Sequence, residues 1–134
     1  MKASYIEYRD TKRFSSGLHR YLDQDGSLKP FYSHPPNLNG FKKLVANKKV
    51  TANRVTLVKV LQQQYAKMQL HLPDSITKNI QLLGQENTFT VTTGHQLNLF
   101  TGPLYFIYKI ATAIKLAQEL KAEFPDKNFV PVYW

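Results

Sequence analysis

Apolar residues between positions 52 and 71 return every three or four places. Val55, Val58, Leu61, Tyr65, Met68 and Leu72 fall on one side of a helical wheel, which predicts a single helix with one apolar stripe, ended by Pro73. A second helix follows, with Asp74 or Ser75 as its cap, Ile76, Ile80 and Leu83 as its face and Gly84 as its stop. The period then changes from helical to alternating. In TFTVTT, residues 88–93, Phe89, Val91 and Thr93 point one way and Thr88, Thr90 and Thr92 the other, so a strand is predicted. A loop from Gly94 to Pro103 leads into a helix from Pro103 to about Phe124, where proline suits the first helical position. Two adjoining apolar stripes run along that helix: Leu104, Ile107, Ala111 and Ile114, then Phe106, Ile110, Ala113, Ala117, Leu120 and Phe124. Only Lys109, Thr112, Lys115 and Glu119 form a polar strip. A helix of that kind is covered on more than one side. PDKN turns the chain, and FVPVYW, residues 129–134, reads as a second strand.

Strand, helix and strand with short joins make a β-α-β unit whose strands run parallel. The fold class is therefore α/β. Residues 1–86 are expected to be a mainly helical segment packing on a core that begins with the β-α-β unit 87–134. Within the first fifty residues, FSSGLHRYL offers Ser15 or Ser16 as a cap. DQDGSLKPFYSHPPNLNG is broken by Gly26, Pro30, Pro35, Pro36 and Gly40, and FKKLVANKK reads as a short helix. Two strands do not make an independent parallel core, and the sequence runs to Trp134 inside the second of them. The chain is accordingly expected to be the opening part of a larger protein, with one stripe of the long helix uncovered.

Composition narrows the function. The 134 residues are 43% hydrophobic and 13% aromatic, which excludes a disordered chain. No apolar run is long enough to span a bilayer, and the mixed-charge start has no secretory core. No membrane partner is expected, and a cytoplasmic protein is the default. With no cysteine, disulfides, thiolate metal sites and a cysteine nucleophile are excluded. The net charge is +9, and the excess is local. Between Gly26 and Pro73 there is no acidic residue, but there are Lys29, Lys42, Lys43, Lys48, Lys49, Arg54, Lys59 and Lys67. These cations are not interleaved with aromatics as base-stacking surfaces require, so a solvated helix surface is favoured over a non-enzymatic nucleic-acid-binding module.

Candidate chemistry gathers in the loop TTGHQLNLFTGPLY. Ligands of open parallel sheets sit beyond the carboxyl ends of the strands, and a helix start offers free N–H groups to a phosphate or carboxylate. Gly94 and Gly102 let a backbone approach a ligand. His95 can exchange a proton near neutral pH, Gln96 and Asn98 hydrogen-bond without charge, and Tyr105 can stack or hydrogen-bond. The loop is neither a dinucleotide fingerprint nor a P-loop. His95 has no neighbouring ligand for a metal, and no Ser-His-Asp triad can be assembled.

TTGHQLNLFTGPLYFIYKIATAIKLAQEL followed by FVPVYW resembles the opening part of the bacillithiol-biosynthesis cysteine-adding enzymes, the BshC family. The resemblance covers the whole chain and only the start of the family's length. It implies a Rossmann-like parallel-sheet core of the nucleotidyltransferase and class I synthetase kind, incomplete here. It also implies addition of cysteine to glucosaminyl-malate through an amide bond. The residues leave the cofactor open; ATP or another nucleotide would supply the carboxylate activation that such a condensation needs. By the same resemblance His95 and Gln96 are catalytic, and Gly94, Asn98, Thr101, Gly102, Pro103, Tyr105 and Lys109 bind substrate or nucleotide, with no metal. Where synthetase-like cores show His-x-Gly-His, this corner has one histidine. The family continues past its VPVYW-like strand into an acidic Glu-Asp-His-Asp segment, and self-association would use that later part. Another nucleotide-dependent, nucleotidyltransferase-like enzyme is the alternative. The reading predicts that strands 88–93 and 129–134 pair in parallel across the helix 103–124, and an antiparallel pairing in the structure would contradict it.

Overall fold

The computed structural model describes residues 4–48, 51–69, 71–94, 102 and 104–134. They belong to two compact units, Met1–Lys49 and Val50–Trp134.

In the first unit, α1 (Ser16–Leu22) is capped by Ser15, whose Oγ accepts from the Leu18 amide at 3.3 Å. A 3₁₀ turn spans Gly26–Phe31 and opens on Asp25, whose carboxylate accepts from the Ser27 amide. Hydrogen bonds from Arg20 and then Ser27 hold the Asp25 carboxyl well below the usual carboxylate range. Helix α2 (Leu38–Asn47) begins earlier than FKKLVANKK suggested. The Asn37 side chain accepts from the Gly40 amide at 2.9 Å, and Gly40 is tucked under Pro35, where a Cβ would meet the Pro35 carbonyl oxygen at 2.0 Å. Gly40 thus sits inside a first helical turn and does not break it, because only a residue without a side chain fits there.

The second unit carries the sheet. Helix α3 (Arg54–Lys67) starts at Asn53, which accepts from the Thr56 amide at 3.0 Å. It is shorter than the span 52–71, since Gln69 adopts a left-handed φ of 52°. Its buried side is also narrower than the sequence stripe. Val58, Leu61 and Tyr65 are half-buried, whereas Val55 and Met68 are 81% and 56% exposed, and Arg54 turns inward. Helix α4 (Asp74–Leu82) buries Ile80, with Leu83 buried just beyond its end, as its face predicted. Neither Asp74 nor Ser75 caps it. The helix follows Pro73 with no side-chain cap bond, and Asp74 lies in the first turn, where its charge favours the helix dipole.

Strand β1 (Thr88–Thr93) pairs in parallel with β2 (Asn128–Tyr133), in register from Thr88↔Asn128 to Thr93↔Tyr133. Helix α5 (Tyr105–Glu123) joins them. This is an α/β arrangement with a short parallel sheet, as the hydrophobic pattern predicted. Phe129 lies between Phe89 and Phe124, with ring centroids 5.8 and 6.1 Å away, and Phe106 meets Tyr133 edge-on at 5.3 Å. That is the α5 side. On the other side Thr90, Thr92, Val130 and Val132 look toward α3 and α4. Of the two stripes of α5, the one carrying Ala113, Ala117 and Leu120 is buried, while Leu104, Ile107 and Ile114 stay 63%, 53% and 42% exposed. Each such side chain is worth roughly 1.5–3 kcal/mol when fully covered.

Proline inside β2 follows from the register. The Asn128 amide donates to the Asn87 carbonyl and the Trp134 amide to that of Thr93. Even-numbered residues of β2 therefore face β1, and the missing N–H of Pro131 falls on the opposite edge. The same alternation sends the Thr88 carbonyl to the far edge of β1, where Arg54 takes it at 2.8 Å while also donating to the Leu83 carbonyl at 2.7 Å. The Thr88 hydroxyl, 2% exposed as a residue, donates to the Leu82 carbonyl at 2.6 Å. One guanidinium thus ties α3 to the end of α4 and to the start of β1. Arg54→Ala should lower stability by about 2–4 kcal/mol, because two charge-assisted bonds are lost. Arg54→Lys should recover less than half, since one ammonium does not span both carbonyls. Urea denaturation of the three proteins measures this, and equal midpoints would refute it.

Candidate functional site

Because β1 and β2 are parallel and in register, their carboxyl ends open on one edge. Gly94 leaves β1 there and Trp134 follows β2. The indole of Trp134 lies beside Gly94, where a Cβ would meet the ring at 3.8 Å. Helix α5 begins at the same edge. From its second turn Lys109 donates Nζ–H to the Gly94 carbonyl at 2.8 Å. Gly102 has a φ of 64°, a left-handed conformation shortly before α5. Tyr105, the first residue of α5, is 46% exposed. Desolvation, and next the neighbouring Tyr105, push the Tyr133 phenol above its ordinary pKa.

Of the residues that the sequence nominated, the structure brings Gly94 and Lys109 into contact and sets Gly102 and Tyr105 at the start of α5. His95, Gln96, Asn98, Thr101 and Pro103 lie outside the described residues. From Asn87 to Gln118 the sequence has no aspartate or glutamate, and Lys109, half-buried, has no carboxylate partner among the described residues. Among those residues no group of three or more His, Asp or Glu could hold a metal ion. No described helix is long and apolar enough to cross a membrane. Arg54, counted in the basic block, is committed to the two carbonyls above; Lys42, Lys43, Lys59 and Lys67 are exposed.

Two features escaped the sequence pattern. Trp134 reads there as the end of a strand, and only the parallel register lays it against Gly94. A hollow of about 480 Å³ lies between α3, α4 and the sheet, lined by Leu61, Tyr65, Ile76, Thr90, Thr92 and Trp134 among others. The alternation of Thr90 and Thr92 with Val91 marked that face, but what stands opposite is decided by packing.

Compared with known families, residues 1–134 match the one described as "Bacillithiol biosynthesis BshC, N-terminal Rossmann-like domain". Curated relatives carry the name "Putative cysteine ligase BshC". The chain is 49% identical over 137 residues to that of Flavobacterium johnsoniae, covering 100% of this chain and 26% of the relative. Identity to the Flavobacterium psychrophilum protein is 44% over 138 residues, with 100% and 26% covered. For Shouchella clausii it is 30% over 132 residues, with 96% and 24% covered. The chain spans about a quarter of the length of these relatives.

The two glycines of the corner should respond differently to alanine. At Gly94 a methyl makes ordinary van der Waals contact with Trp134, and φ is not left-handed, so Gly94→Ala should change stability by less than about 1 kcal/mol. At Gly102 the left-handed backbone should cost Gly102→Ala about 1–2 kcal/mol. Thermal melts of the two variants check the difference; equal shifts would count against it.

Proposed function

Because the chain belongs to the family of BshC N-terminal Rossmann-like domains, we propose that it supplies the first ligand-binding corner of a cytoplasmic cysteine ligase. The reaction joins the carboxyl group of cysteine to the amine of glucosaminyl-malate, a step of bacillithiol biosynthesis. A C–N bond forms at the acyl carbon, the carboxylate oxygen departs with its activating group, and the amine gives up a proton. ATP or another nucleotide supplies the activation. The observation that carries this reading is the family match over the whole chain, with Gly94, Lys109 and the start of α5 converging at the carboxyl end of β1.

In this reading the acid-free, lysine-bearing edge suits a carboxylate or phosphate. His95 accepts the proton released by the attacking amine, and Gln96 hydrogen-bonds the acyl oxygen as charge develops on it. Asn98 and Thr101 offer neutral hydrogen bonds to polar substrate groups. Gly102, Pro103 and Tyr105 bring the ligand against the start of α5, whose free N–H groups favour negative charge. The 134 residues alone are inactive, since the chain spans a quarter of its relatives and a two-substrate condensation needs more walls than one strand–helix corner has.

The test is made in the full-length protein, with cysteine, glucosaminyl-malate and ATP. His95→Ala and Gln96→Ala should each lower kcat/KM by about ten- to a thousandfold. Their melting curves should report a stability change within about 1 kcal/mol, because neither substitution removes large apolar surface. Full activity in both variants would reduce the corner to a turn. Loss of activity matched by a collapse in melting temperature would make these residues structural.

A further inference from the structure

We draw no further inference here: the strongest candidate, the hollow of about 480 Å³ between α3, α4 and the sheet, is an open and largely apolar face, and nothing in the structure shows what covers it.

Discussion

Two neighbouring strands that run in the same direction cannot be joined by a turn. The chain must travel back along the whole sheet before the second strand begins, and in this protein α5 is that return. Its placement decides most of what surrounds it. The stripe with Ala113, Ala117 and Leu120 lies toward the sheet, and the small alanines let the helix come close. The Phe89, Phe124 and Phe129 rings fill the space near its far end. The same return brings the start of α5 to the carboxyl ends of the strands, so Lys109 can reach Gly94. A parallel pair with a helical crossover therefore creates a ligand-favoured edge as a consequence of its connectivity.

At the amino ends of the strands, polar groups are tied into a knot. Arg54 holds Leu83 and Thr88, Thr88 holds Leu82, and Asn87 donates to the Asp126 carbonyl. Asn128 donates to Gln85, and Lys121 reaches the carbonyls of Pro125 and Lys127. The bonds of Arg54 and Thr88 are part-buried and satisfy carbonyls that would otherwise lose hydration without replacement, whereas the other bonds lie at the surface. At the carboxyl ends the Trp134 amide continues the ladder to the Thr93 carbonyl and Lys109 holds the Gly94 carbonyl.

Similarity over the whole chain assigns the domain to the BshC family. From Asn87 to Gln118 the sequence carries no carboxylate, and Lys109 within that stretch is half-buried. The exposed stripe of Leu104, Ile107 and Ile114 accords with a chain that spans a quarter of its relatives. Apolar surface of that extent on an α/β helix is ordinarily covered by further structure.

Much of the fold was legible in the sequence because its cues are local. The alternation of TFTVTT, the two stripes of α5 and the turn at PDKN each state a period or a break, and the parallel pairing then follows from the short joins. The sequence nominates a candidate corner on the same kind of cue, as two glycines and several polar side chains fall between a strand and a helix. Other features depended on what lies opposite, which no period records. Val55 belonged to the apolar stripe of α3 but faces outward, and Arg54 turns in, because two carbonyls await it from α4 and β1. Gly40 looked like a breaker but is a contact surface for Pro35. Lys109 occupied a polar strip that any solvated helix could carry, and the crossover set Gly94 within its reach. By itself, then, the sequence determined the elements, their order and the chemistry available at each position. Tertiary structure alone decided which polar groups far apart in the chain are partnered, because that depends on distances no local pattern records.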